Sequence, residues 1–189
     1  MIKEWTLNYI SDLTNVLDNF PIEKFEKITN ILLNAYKRDS TIFTFGNGGS
    51  GSTASHFACD INKGVSLKLN KKFRVICLND NIPILLAYAN DQSYEDVFIE
   101  QLKNFLKPND VIIGISGSGN SKNVLKAIQY GNENSAITIG FTGFEGGKLV
   151  KIAKESFVAP VNDMQKVEDI HIIITHIIMQ LLANILNKE

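Results

Sequence analysis

Two serine- and glycine-rich turns and three histidines carry most of the chemistry available to this chain. Ser116-Gly117-Ser118-Gly119-Asn120-Ser121 follows the apolar run Val111 to Ile115 and opens a helical pattern through Val124, Leu125, Ala127 and Ile128. Serine hydroxyls donate to phosphate oxygens, the glycines let backbone N–H groups come close, and Ser121 stands at a helix N-cap position, so the turn predicts a cradle for a terminal monophosphate. A turn that merely caps a helix is the plainer account of one such sequence. A second turn makes it the weaker one: Gly46-Asn47-Gly48-Gly49-Ser50-Gly51-Ser52, between a run ending at Phe45 and a helix carrying Ala54, His56, Phe57 and Ala58. No lysine follows at Walker A spacing, which removes support for nucleoside triphosphate hydrolysis. Gly46, Gly48 and Gly51 match the dinucleotide fingerprint, but its acidic partner should follow roughly 20 residues on, at the end of the next strand. The nearest candidate, Asp80, lies beyond that strand, and two helices precede the first one.

The acid, base and metal candidates fall in two segments. His56 and Asp60 are four apart on one helix and share a face. Glu168, Asp169, His171 and His176 crowd the start of the final helix. A lone histidine on an apolar helix is more often structural than a ligand, and spacing leaves the ligand choice open. Glu168 and His171 form an i, i+3 pair, whereas Glu168 and His176 lie two turns apart and offset by about 80°.

The elements that must hold these residues read as a layered α/β fold. Two helical patterns come first, through Ile2, Trp5, Ile10, Leu13, Val16 and Leu17, then through Phe25, Ile28, Ile31, Leu32 and Ala35 after Pro21. Short apolar runs follow at 41–45, 73–78, 110–115 and 135–141, with a weaker one at 156–160, alternating with helices. Continuous rather than alternating hydrophobicity predicts a parallel sheet covered on both faces. A last helix from about Met164 to Leu186 is apolar round most of its circumference, from Val167 through Ile185, and needs more cover than one sheet face provides. The 189 residues suit one domain, with helices over 1–38 and the α/β core over 39–189.

A formal net charge of −1 argues against a nucleic-acid partner. Cys59 and Cys77, eighteen positions apart and without a CxxC pattern, read as buried reduced thiols of a cytoplasmic protein. No signal peptide is expected, and His171, His176 and Asn184 argue against the last helix crossing a membrane.

Taken together, the loop GNGGS, His56, Ala89-Asn90-Asp91, the turn from Ser116 to Ser121, Thr142-Gly143 with Gly146-Gly147, and the final helix with His171 and His176 make the chain resemble the phosphoheptose isomerase family of sugar isomerase (SIS) domains over nearly its whole length. The resemblance implies a five-stranded parallel sheet flanked by helices, a flavodoxin-like sandwich with extra N-terminal helices. It also implies a homotetramer built on the first and last helices, with active sites shared between subunits. It places Asn47, Gly48, Gly49, Ser50, Asn90 and Asp91 around a sugar, with Ser116, Gly117, Ser118 and Ser121 around its phosphate. Zinc ligands map to His56, Asp60, Glu168 and His176, with Asp60 as base and His176 as acid in an aldose–ketose interconversion through an enediol. Asp60 stands where the family usually has glutamate, and Glu168 where it usually has glutamine. Two rivals are a non-catalytic SIS-domain tetramer resembling the DnaA initiator-associating protein, and an isomerase for a different phosphosugar. The first lacks a histidine in its last helix, whereas this chain keeps His176.

Overall fold

The computed structural model describes residues 1–188. Its apolar runs form five strands, β1 (Thr41–Gly46), β2 (Arg74–Cys77), β3 (Val111–Ser116), β4 (Ile137–Gly143) and β5 (Glu155–Ala159). They make one parallel sheet in the order β2-β1-β3-β4-β5. The chain leaves β1 toward β2 on one side and returns as β3 on the other, so the switch point lies between the carboxyl ends of β1 and β3. Gly46 pairs with Ile115 there, which brings the two glycine- and serine-rich turns side by side.

Eight α-helices accompany the sheet: α1 (Ile2–Asp18), α2 (Ile22–Arg38), α3 (Gly48–Cys59), α4 (Ile82–Asp91), α5 (Ile99–Phe105), α6 (Lys122–Glu133), α7 (Leu149–Ile152) and α8 (Met164–Leu186). Alternation along the strands divides the core in two. Ile42, Ile113, Ile115 and Phe141 pack with Phe25 and Leu32 of α2, Phe57 of α3, and Ile170 and Ile174 of α8. Phe43, Phe45 and Ile112 pack on the other side with Phe98, Leu102, Val124 and Ile128. The doubly covered sheet expected from the sequence is present, except at its edge. Arg74 and Ile76 of β2 are exposed, whereas Val75 and Cys77 between them are buried, so one face of the edge strand is left open.

Helix α3 buries Ser50, Gly51, Thr53, Ala54, Phe57 and Ala58, a stripe of helical period. Cys59 falls off that stripe and is exposed, contrary to the reading of both thiols as buried; Cys77 is buried as expected. At Asp60 the helix widens into a π turn, Asp60–Val65, which keeps Ile61 and Val65 buried.

Helix α8 is long and apolar enough to span a bilayer by composition, yet Val167, Ile170, Ile174, Ile178 and Leu182 belong to the core. Asp163 starts it, its carboxylate accepting from the N–H groups of Gln165 and Lys166 at 3.1 and 3.3 Å. Its first turns lie directly on β4: a Cβ on Gly143 would overlap the Val167 side chain, so only glycine permits this approach. His171 fixes the helix from inside, its Nε2 3.1 Å from the Thr142 carbonyl. Burial pushes the His171 imidazole down to about 4, partly opposed by that carbonyl. The ring is therefore neutral at working pH, and Nε2 carries the donated proton.

Above the unfolded-state value of 6.5 His171 adds no proton-linked penalty, and between 6.5 and about 4 the unfolded chain binds a proton that the folded chain refuses. Urea unfolding at pH 7 and pH 4.5 should show His171→Gln losing less stability on acidification than the parent, by up to about 2–3 kcal/mol. Identical losses would mean that His171 is protonated in the fold.

Candidate active site

Asn47 alone separates the end of β1 from α3. It is the N-cap residue, in an extended conformation, and Gly48 follows at φ +53°. The free N–H groups of the first turn of α3 thus open at the switch point, where the positive end of the helix favours an anion. Asn79, just past β2, locks this loop by a two-pronged bond, accepting from the Gly46 N–H at 3.1 Å and donating to the Gly46 carbonyl at 2.8 Å.

The second turn faces the first across a cavity of about 280 Å³. Asn47, Gly48, Gly49 and Ser50 line one side, Ser116, Gly117, Ser118 and Ser121 the other, with Glu168 of α8 above. Ser116 and Ser121 share a hydrogen bond of 3.0 Å between hydroxyls, and the Ser118 hydroxyl accepts from the Asn120 N–H at 3.2 Å. Ser121 holds the N-cap position of α6 but makes no capping bond, its hydroxyl being turned to Ser116 instead. The serines and glycine named from the sequence are brought together on one wall of the cavity, at the start of α6.

Glu168 lies against Gly49, where a Cβ would strike its carboxyl group. A glycine at that position gives the carboxylate access to the start of α3.

His56 of α3 and Asp60 of the π turn converge on His176, further along α8. One donor atom from each lies within 4.8 Å of the other two. The Nε2 atoms of His56 and His176 are 2.8 Å apart, and Oδ2 of Asp60 is 3.4 Å from the first and 3.7 Å from the second. That Oδ2 is buried and has no hydrogen-bond partner. An orphaned carboxylate oxygen facing two imidazole nitrogens fits a cation, and two histidines with one carboxylate match catalytic zinc sites that keep a fourth position open. Glu168 lies outside this group, and His171 points away from it into the core.

Asn90 and Asp91 are exposed at the end of α4, bonded to each other at 2.8 Å, and neither lines the cavity. Two residues outside every sequence motif do reach the site. Asn123, buried in α6, forms a reciprocal amide pair with Asn47 at 2.9 Å in each direction. The Tyr94 hydroxyl donates to Asn47 Oδ1 at 2.8 Å. Its place two positions beyond the serine turn was the one available signal for Asn123; nothing in the sequence marks Tyr94.

This arrangement, a cavity between two helix starts beside a group suited to a cation, sits on an α/β scaffold that known proteins share. The SIS domain model matches residues 8–143, and the chain belongs to the SIS domain family. Within it, the chain is 36% identical over 178 residues to the phosphoheptose isomerase of Helicobacter pylori, covering 94% of this chain and 92% of the relative. It is 35% identical over 154 residues to that of Aquifex aeolicus, covering 82% and 80%. The phosphoheptose isomerase structure from Neisseria gonorrhoeae superimposes with a TM-score of 0.89 over 97% of this chain and 100% of that one, at 24% identity, and so shares the fold.

Zinc titration of the purified protein tests the ligand set. Alanine at His56, Asp60 or His176 should each weaken binding by more than the roughly 10–100-fold typical of residues that only support a ligand. Glu168→Ala should weaken it less; an equal loss would put the Glu168 carboxylate on the ion.

Proposed function

We propose that this chain is an aldose–ketose isomerase that interconverts sedoheptulose 7-phosphate and D-glycero-D-manno-heptose 7-phosphate. One observation carries the choice of substrate. Glu168 at the phosphate cavity and His176 at the acid–base group lie eight residues apart on α8, about 12 Å of helix rise. A substrate with its phosphate and its carbonyl at opposite ends of a chain of several carbons suits that separation.

The reaction takes a proton from the carbon beside the carbonyl and returns one to its neighbour through an enediol. Asp60 is assigned as the base and His176 as the acid at the carbonyl oxygen. Each contributes on the order of 10²–10⁴-fold. Ser116, Ser118 and Ser121 hold the phosphate, and that remote binding energy positions the reacting carbons. His56, Asp60 and His176 are the proposed zinc site; Glu168, a further ligand by family pattern, lies outside this group at the cavity between the two turns. Zinc bound there supplies Lewis-acid polarisation of the carbonyl.

The enzyme is assigned to the cytoplasm and to a homotetramer. Helix α1 buries none of its residues and exposes Ile2, Trp5, Leu7 and Ile10. Beside His176, α8 borders an open depression of about 540 Å³ with Ile173, Ile177 and Leu181. Both helices thus offer apolar surface for self-association, and Asn90 and Asp91 are assigned to the sugar within that assembly.

Sedoheptulose 7-phosphate incubated with the protein, with and without a chelator, should give an aldoheptose 7-phosphate only when metal is present. Asp60→Asn should keep sugar-phosphate binding and lose turnover by at least about 100-fold; full activity would remove Asp60 from the base role. No product under any metal condition, with the assembly intact, would favour a binding protein of the same fold. Sedimentation should show four copies for the parent and fewer for Trp5→Glu, and a monomeric parent would refute the tetramer.

A further inference from the structure

We propose that Asn123 is a positioning residue for the substrate, acting through Asn47; the inference rests on the phosphosugar reading above. A backbone N–H can only donate, and that of Val124 points at Asn123 Oδ1 at 3.0 Å. The carbonyl end of the Asn123 amide is therefore fixed by the start of α6. Its Nδ2 must then donate to Asn47 Oδ1, at 2.9 Å, while Asn47 Nδ2 donates back to Asn123 Oδ1, also at 2.9 Å. The Tyr94 hydroxyl adds a second donor to Asn47 Oδ1, at 2.8 Å.

The hydrogen-bond inventory of Asn47 is then almost closed. A carbonyl oxygen has two lone pairs, and both are taken; an amide nitrogen has two hydrogens, and one is taken. What Asn47 offers the cavity it lines is a single N–H. Left unbraced, the same amide could turn and present its oxygen. Asn123 thereby makes Asn47 a donor only, suited to a carbonyl or ionised oxygen of the sugar and unsuited to a group that can only donate.

The pair also spans the site. Asn47 belongs to the loop after β1 and Asn123 to the first turn of α6, two residues beyond the cradle serine Ser121. Closing both hydrogen bonds fixes the distance between the sugar loop and the phosphate cradle. Asn123 is buried, so its amide faces little competition from water.

A double-mutant cycle separates this role from a purely structural one. Wild type, Asn47→Ala, Asn123→Ala and the double variant are assayed on sedoheptulose 7-phosphate with metal present, and their thermal midpoints are recorded. Asn123→Ala should lose about tenfold in kcat/KM, carried mainly by KM. The double variant should fall within about twofold of Asn47→Ala alone, because the second substitution has nothing left to position. Losses that multiply, or a lowered midpoint with unchanged KM, would overturn the proposal. Should Asn123→Ala not fold, Tyr94→Phe carries the same cycle, since Tyr94 is exposed and loses only its hydroxyl. It should raise KM about two- to threefold in the parent and not at all in the Asn47→Ala background; an equal rise in both would overturn the proposal. A wild-type protein that neither binds nor converts the sugar overturns the functional reading itself, and this one with it.

Discussion

The seat of α8 on the carboxyl edge of the sheet is the contact on which the site depends. Val167 fills the space that a side chain at Gly143 would take, and His171 bonds the Thr142 carbonyl from within the core. These two contacts fix both the rotation and the height of the helix. Between them Glu168 meets the start of α3, and further along, His176 meets His56 and Asp60. A helix held at one edge of β4 thus closes the cavity between the two turns at one point and gathers the His56, Asp60 and His176 group at another. Because the fixing histidine is neutral and buried, its hydrogen bond costs no charge desolvation at neutral pH.

The two turns at the switch point divide the work with α8. Their contribution is mostly backbone: free N–H groups of α3 and α6, reached through glycines and steadied by asparagine side chains that imitate peptide groups. Asn79 pairs with Gly46 as another strand residue would, and Asn47 pairs with Asn123 in the same reciprocal way. The cavity between the two turns is thus lined by dipoles and hydroxyls, with no lysine or arginine in its wall. That agrees with a chain whose net charge is close to zero and leaves selectivity to geometry.

Much of this was legible in the sequence for a physical reason. Buried parallel strands need continuous apolar runs, and phosphate loops need small residues after them, so β1, β3, β4 and both turns announce themselves. The extent of α8 was readable from its long apolar pattern, to which the structure adds Asp163 as the cap. Legibility ended where side-chain direction decides the outcome. Residue spacing on α8 could not tell that His171 turns inward while His176 turns to His56, since both sit on an apolar helix. Glu168 rests against Gly49 through a contact between distant segments, and a periodic pattern carries no trace of it. Ile76 reads as a covered strand residue because edge and centre strands share the same composition. Asn123 has the appearance of an ordinary polar residue on a helix, its burial depending on what stands opposite.

The π turn that begins at Asp60 bears on how the chain can change in length. Such a turn holds one more residue than an α-helical turn, and Ile61 and Val65 are buried on it. In a regular helix the loss of one residue rotates everything downstream by about 100°; here it can be taken up by closing the turn to α-helical width. Asp60 stands at the start of the widened segment, so its place opposite His56 and His176 is set by α3 and is insulated from such a change.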